Sequence, residues 1–202
     1  MTTSRATTAT RTWMDESTAL LLRTVDSLSE ADFDAPSALP GWTRRHLVAH
    51  VHFNAEALRR LVSWARTGVE NPMYPSVDHR NAEIEQGATL PPERLRELVH
   101  GSAAALAADL DALPDAAWRN EITTRQGRTI PATEIPWMRA VEAAVHTVDL
   151  GVGVDFADLP GDFVHALVED TLAARLAQGH GPDLARWLTG RTSTAPALGP
   201  WL

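Results

Sequence analysis

Apolar residues recur at helical spacing in four long stretches of this chain, and proline or glycine residues separate the stretches. In the second stretch, Leu47, Val51, Leu58 and Val62 fall on one face of a helix. The pattern predicts four amphipathic helices, at residues 11–29, 44–67, 92–113 and 132–150. The chain is therefore expected to be mainly α, with these helices packed as a four-helix bundle.

The segments outside these helices give the expected domain organisation. Residues 69–91 are predicted to be a long connection, a kind of segment that is often functional, and residues 121–130 a polar loop. The bundle is expected to occupy residues 1–155. Residues 156–202 are predicted to form a shortened C-terminal segment, helical or α/β, that packs on the bundle because about fifty residues are few for an independent core.

Composition argues against several kinds of partner. The 18 lysines and arginines stand against 26 acidic residues, for a net charge of −8, which disfavours nucleic acid because phosphate neutralisation dominates its binding. No apolar run approaches the roughly 20 residues of a membrane span, and residues 1–12 lack the apolar core of a signal peptide. We therefore expect a cytoplasmic monomer or homodimer that binds small molecules.

A glutamate and a histidine in the fourth predicted helix are candidate metal ligands. The sequence contains no cysteine, so a metal must be held by histidine, aspartate or glutamate. Glu142 and His146 stand four residues apart, which places both on one helix face. Burying them is costly unless something satisfies them, and a shared cation would do so. A hydrogen-bonded Glu–His pair is the alternative, and this spacing alone favours it.

The second predicted helix supplies three histidines that could complete such a site. His46 and His50 are one turn apart, whereas His52 points about 200° around the helix from His50. Periodicity does not choose between His46 and His50. Two histidines and one carboxylate leave coordination positions open, as catalytic metal sites do. Zinc is the first expectation, although Fe, Ni or Mn accept the same ligands.

Several short motifs resemble those of the mycothiol-dependent maleylpyruvate isomerases. They include LPGWTR at residues 39–44, LVAHV at 47–51, Arg80-Asn81, QGRT at 126–129, WMR at 137–139 and VDLG at 148–151. The resemblance extends over most of residues 11–160. It implies a DinB-like four-helix bundle in which His50, Glu142 and His146 hold the metal.

The resemblance also implies a reaction, the conversion of maleylpyruvate to fumarylpyruvate in gentisate-type aromatic catabolism. A double bond does not rotate, so a thiolate adds, the resulting single bond rotates, and elimination restores the alkene as trans. Because the chain has no cysteine, the thiol would be mycothiol. The metal would favour its thiolate or stabilise the enolate formed on addition.

Four further residues are candidates for roles around the metal. The functionally important arginine of the family falls on Arg80, which is expected to be catalytic and to bind substrate carboxylates. Arg125 and Arg128 could bind them too, although a solvated loop is the slightly favoured interpretation. Asp149, one turn after His146, either orients its imidazole or faces solvent.

Two other functions stay open at this point. A mycothiol S-transferase would use the same metal and thiol and release the adduct. A non-catalytic metal-binding module would have lost activity together with its second domain. In the family that domain resembles a sterol carrier protein, and the strands expected between residues 179 and 186 are missing from this sequence.

Overall fold

The computed structural model describes residues 7–199 and divides into two compact units, one ending at Leu159 and the other beginning at Pro160. The helices and strands of the first unit are α1 (Thr7–Ser27), α2 (Glu30–Asp34), α3 (Arg44–Thr67), α4 (Val77–Ala88), α5 (Pro92–Asp111), β1 (Glu121–Thr123), β2 (Thr129–Pro131) and α6 (Ile135–Asp149). Short 3-10 turns lie at Asp115–Arg119, Ala132–Glu134 and Phe156–Asp158.

Four of these helices pack side by side as the predicted bundle. Helix α1 packs along α6, α6 also contacts α3, and α3 packs along α5, whereas α1 and α5 make little contact. The apolar stripes face inward, and the core includes Leu21, Val25, Leu47, Val51 and Leu95. Each such side chain contributes roughly 1.5–3 kcal/mol when it is removed from water. Packing of these stripes holds the site-bearing helices α3 and α6 together.

Helix α3 begins and ends at clear sequence signals. Thr43 is its N-cap, and its backbone N–H and hydroxyl lie 3.2 Å and 2.8 Å from His46 Nδ1. Gly68 ends it in the left-handed conformation, with φ at +72°. The helix is 24 residues long and therefore spans about 36 Å.

Two segments differ from the sequence-based expectation. Residues 69–91 were expected to be a connection, but they contain helix α4, whose N-cap Ser76 accepts a hydrogen bond from the His79 N–H. Only Ile84 and Gly87 of α4 are buried, so its sequence carries too little apolar periodicity to predict a helix. The polar loop expected at residues 121–130 instead contains most of the β1–β2 hairpin, in which Ile122 pairs with Ile130.

The second unit is helical wherever the structure describes it. It consists of α7 (Gly161–Ala177) and α8 (Gly181–Leu188), and no strand occurs in residues 160–199. Arg175 donates hydrogen bonds to the carbonyls of Leu198 and Gly199, at 2.5 Å and 3.3 Å, which ties the following segment to α7. In the described part of the chain, no helix has both the length and the apolar character that crossing a membrane requires.

Helix α4 packs on α3 at a glycine, which makes the first testable prediction. A Cβ at Gly87 would lie 2.8 Å from the Cβ of Ala49 and 3.0 Å from a ring carbon of Phe53. We expect Gly87→Ala to push α4 outward and to lower the free energy of unfolding by about 1–3 kcal/mol in urea denaturation. Gly101→Ala in α5 is the control, because a Cβ there meets nothing within 4 Å. It is expected to stabilise by about 0.5–1 kcal/mol, and a loss of stability equal to that of Gly87→Ala would contradict the prediction.

Candidate metal centre

His50 of α3 and Glu142 and His146 of α6 converge inside the bundle. His50 Nε2 lies 3.2 Å from Glu142 Oε2, and His146 Nε2 lies 3.3 Å from the same oxygen. One ligand atom from each residue lies within 4.8 Å of the other two. The two imidazole rings meet edge to face, with centroids 4.8 Å apart. Two nitrogens and one oxygen therefore point at a common centre.

The other two histidines of α3 are engaged elsewhere. His46 lies at the first turn, where its Nδ1 contacts Thr43 and its Nε2 lies 3.5 Å from Glu85. His52 Nδ1 lies 3.1 Å from the carbonyl oxygen of Leu98 in α5. Of the three histidines that the sequence offered, the structure brings His50 to the pair on α6.

The contacts of His146 show that the donor set fits a cation. Its Nδ1 lies 2.9 Å from Asp149 Oδ2, so Nδ1 keeps a proton, and when the ring loses its other proton to a bound metal the lone pair that becomes free is on Nε2. That Nε2 is buried, and among the described residues it has no hydrogen-bond partner, since the contact with Glu142 lacks the geometry of one. An unsatisfied buried nitrogen is costly, and a divalent cation shared with His50 and Glu142 would satisfy it.

An arginine and two aromatic rings surround the cluster. Arg80 of α4 places Nη2 3.3 Å from His50 Nδ1, and its Cζ lies 6.0 Å from the centre of the Tyr74 ring. The Trp42 ring meets the edge of His50 at a centroid distance of 5.5 Å. A positive charge and two large rings thus lie beside the three candidate ligands.

Comparison with known families shows to which family the chain belongs. Residues 14–151 match the family model described as the mycothiol maleylpyruvate isomerase N-terminal domain. The chain belongs to this family. The match runs from the middle of α1 to just past the end of α6, and it includes every residue of the cluster. The resemblance inferred from the short motifs is therefore confirmed.

Solved structures agree with this membership in the mycothiol maleylpyruvate isomerase family. A crystal structure of the mycothiol-dependent maleylpyruvate isomerase is 41% identical, with a TM-score of 0.81 over 83% of this chain and 70% of that one. A variant of that isomerase with a histidine replaced by alanine gives 40% identity, a TM-score of 0.80 and the same coverage. Among curated protein sequences, none gives a significant match.

A more distant structure has the same fold. YfiT from Bacillus subtilis, a probable metal-dependent hydrolase with an unusual four-helix bundle topology, is 18% identical, with a TM-score of 0.57 over 73% of this chain and 89% of that one. Together with the isomerase structures, it confirms the mainly α, DinB-like bundle that the sequence predicts.

Burial and charge set the protonation of the cluster. Burial alone would raise the pKa of Glu142, but the imidazoles of His146 and His50 beside it hold that pKa well below its usual value. Burial lowers the pKa of His50. Burial also opposes the charged form of His146, yet the carboxylates of Asp149 and Glu142 raise its pKa to about 9. Glu142 is therefore a carboxylate at neutral pH, as a metal ligand must be.

The contact between Asp149 and His146 makes a second prediction. In protein freed of metal by a chelator, we expect the imidazole of His146 to titrate near pH 9. The Asp149 carboxylate stabilises the imidazolium, so Asp149→Asn should lower this pKa towards the ordinary 6.5. Nitrogen NMR of the histidine rings across a pH series measures both values. An unchanged pKa in the variant would show that Asp149 does not hold the ring.

The remaining sequence-predicted arginines lie on the β1–β2 hairpin, and the structure records no contact between them and the cluster among the described residues. Arg125 and Arg128 are exposed in the turn between β1 and β2. Just before β1, Asn120 donates a hydrogen bond to the carbonyl of Ala65, which follows His50 by 15 residues, or about 22 Å along α3. Their assignment as substrate ligands stays a prediction, and their placement agrees with a solvated turn.

Two residues near the site were missed as candidates in the sequence. Tyr74 lies under Arg80, and burial together with the charge of Glu142 raises its pKa to about 12. The phenol therefore stays protonated and can donate a hydrogen bond. Arg139 is completely buried on α6, one turn before Glu142. Arg139 stands in the WMR motif at residues 137–139, but neither residue has a spacing that indicates chemistry.

Proposed function

We propose that this protein is a mycothiol-dependent maleylpyruvate isomerase, which converts maleylpyruvate to fumarylpyruvate. The proposal rests above all on the convergence of His50, Glu142 and His146 in a chain 41% identical to a crystallised enzyme of that activity. Because the chain contains no cysteine, the attacking thiol must come from a small molecule, and mycothiol is the one named for the family.

His50, Glu142 and His146 are the proposed ligands of one divalent metal, with zinc as the first choice. Two imidazoles and a carboxylate are a common ligand set of catalytic zinc, which keeps a further position open. When bound, such a cation favours a thiolate over a thiol and stabilises a developing enolate. Asp149 would hold the His146 ring so that Nε2 faces the cation.

Arg80 is the proposed binding group for the substrate. Maleylpyruvate carries two carboxylates, and a guanidinium binds a carboxylate through two parallel hydrogen bonds. Arg80 places a guanidinium nitrogen 3.3 Å from Nδ1 of the proposed ligand His50. Tyr74 beneath it keeps its proton and could donate a further hydrogen bond to a substrate oxygen. These two residues would hold the substrate while its central bond rotates.

An assay with and without mycothiol tests the proposal and is a third prediction. Metal-loaded protein incubated with maleylpyruvate should produce fumarylpyruvate with mycothiol and show no catalysed conversion without it. Absorbance and chromatography of the two isomers measure the yield. Mycothiol should be recovered unchanged, because the thiol that adds is later eliminated.

The other outcomes of this assay separate the alternative functions. Accumulation of a mycothiol adduct without the trans isomer would contradict the isomerase assignment and favour an S-transferase. Metal-loaded protein that yields neither product would contradict any maleylpyruvate chemistry and favour a metal-binding module. Glutathione in place of mycothiol is a useful control, because it offers the same thiol on a different carrier.

A further inference from the structure

Tyr74 is the only tyrosine of the chain, and a single arginine connects it to the candidate metal centre. It lies in the segment between α3 and α4, with its side chain partly buried. The Cζ of Arg80 lies 6.0 Å from the centre of the ring, and Arg80 donates a hydrogen bond to the hydroxyl oxygen. The same guanidinium places Nη2 3.3 Å from Nδ1 of His50. The phenol is therefore a near neighbour of a proposed metal ligand.

Four charged groups of α4 and α6 act on this phenol. Burial raises the pKa of Tyr74 to about 12, and the charges of Glu142 and Glu83 act in the same direction, whereas Arg80 lowers that pKa. The phenol acts in turn on Arg139, one turn before Glu142 on α6, and raises the pKa of that guanidinium against the effect of burial. The hydroxyl consequently keeps its proton at neutral pH and lies within electrostatic range of a proposed ligand on α6.

The hydrogen bond from Arg80 leaves the O–H group of Tyr74 free to donate. A tyrosine hydroxyl accepts hydrogen bonds through its oxygen and donates one through its proton. Arg80 uses the oxygen, so the proton is directed to another acceptor. Within the described part of the chain, no hydrogen bond has this O–H as its donor. A hydroxyl that accepts from a cation is polarised by it and becomes a stronger donor.

The proposed reaction needs such a donor, because it places negative charge on a substrate oxygen. When the thiolate adds, a carbon–sulfur bond forms at the alkene carbon farther from the ketone, the alkene electron pair shifts towards the ketone, and the carbonyl pair moves onto oxygen as an enolate. The former double bond is then single and rotates. The pair returns from oxygen, the alkene re-forms as trans, and the thiolate leaves. No proton is consumed, so a neutral donor that only shares its proton is sufficient.

We propose that the Tyr74 hydroxyl donates the hydrogen bond that stabilises the enolate oxygen, while Arg80 holds a carboxylate of the substrate. The inference rests on the proposed function and deepens it, because it assigns the phenol to the transition state instead of to substrate binding. A donor directed at the atom where charge develops binds the transition state more tightly than the substrate, and it therefore raises kcat. Tyr74 would then be a catalytic residue of the isomerase.

Steady-state kinetics of metal-loaded Tyr74→Phe, which loses the hydroxyl and keeps the ring, test this role. We expect kcat for maleylpyruvate to fall by about a hundredfold, with KM within about threefold of wild type and metal content unchanged. Met73→Leu is the matched control, since it changes the neighbouring buried side chain at similar volume, and both constants should stay within about threefold. Unchanged kcat in Tyr74→Phe, with or without a raised KM, would overturn the inference, and so would loss of its metal.

Fluorinated tyrosine tests the same role in a protein that keeps its phenol. Because the chain has one tyrosine, mono- or difluorotyrosine supplied during expression replaces Tyr74 alone. Ring fluorines lower the pKa of the phenol from its raised value of about 12, and the donor loses its proton as the pH rises through that pKa. We therefore expect kcat to fall at a progressively lower pH as fluorines are added.

The outcomes of these experiments separate the inference from the proposed function. Identical pH profiles of kcat in the ordinary and fluorinated proteins would overturn the inference, whether or not Tyr74→Phe folds well. In that case wild-type protein that isomerises maleylpyruvate would still support the proposed function. Wild-type protein that is inactive with mycothiol would contradict the proposed function, and this inference with it.

Discussion

Replacing His50 with alanine is expected to strip the metal from the purified protein and to lower kcat/KM for maleylpyruvate by at least about a thousandfold. His50 is the sole proposed ligand on α3, so its loss leaves Glu142 and His146 on α6 without a third donor. Changes to residues that only orient a ligand cost 10–100-fold as a rule, and loss of the ligand itself costs more. Elemental analysis and steady-state kinetics measure the two effects.

His46→Ala is the matched control, since it removes an imidazole one turn earlier on the same helix. His46 contacts Thr43 and Glu85 instead of the cluster, so metal content should stay at the wild-type level. Circular dichroism checks that both variants keep their helices. A His50→Ala protein with unchanged metal content would refute the proposed ligand set. Loss of metal only in His46→Ala would show that His46, and not His50, is the ligand on α3.

Arg80→Gln is expected to lower kcat/KM by about a hundredfold while the metal content stays the same. The glutamine keeps much of the length of the side chain but loses the charge and the paired N–H groups that hold a carboxylate. Loss of one or two charge-assisted hydrogen bonds, worth about 1.5–3 kcal/mol each, corresponds to that effect. Kinetics with maleylpyruvate, together with elemental analysis of the same sample, measure it.

Arg128→Gln provides the comparison at an exposed position. Arg128 lies in the hairpin turn, so the variant should remain within about twofold of wild type. An Arg128→Gln enzyme with a strongly raised KM would support the sequence-based assignment of that residue instead. Loss of metal in Arg80→Gln would show that its contact with His50 is structural, and would remove Arg80 as the substrate ligand.

Much of the fold follows from the sequence because the bundle depends on apolar periodicity. Leu47, Val51, Leu58 and Val62 predict α3, and all four are buried in it. Helix α4 could not be predicted from apolar periodicity, because it buries only Ile84 and Gly87 and packs on α3 at that glycine. The β1–β2 hairpin is short and largely exposed, so backbone pairing rather than apolar alternation forms it.

The candidate site, like the fold, could be predicted from the sequence only in part. Spacing places Glu142 and His146 on one face, but periodicity does not separate His46 from His50, because both positions lie on the same side of α3. The distinction arises from the helix start, where Thr43 and Glu85 engage His46 and leave His50 one turn deeper. Tyr74 and Arg139 depend on contacts between distant segments. No local pattern predicts such contacts.

The ligand cluster joins two helices that are far apart in the sequence, since 92 positions separate His50 from Glu142. An unfolded chain would rarely bring these groups together, so a metal would bind the folded bundle almost exclusively. Its binding energy would then add to the folding equilibrium, by about 4 kcal/mol when free metal exceeds Kd a thousandfold. Metal supply would in this way control how long the protein survives in the cell, in addition to whether it is active.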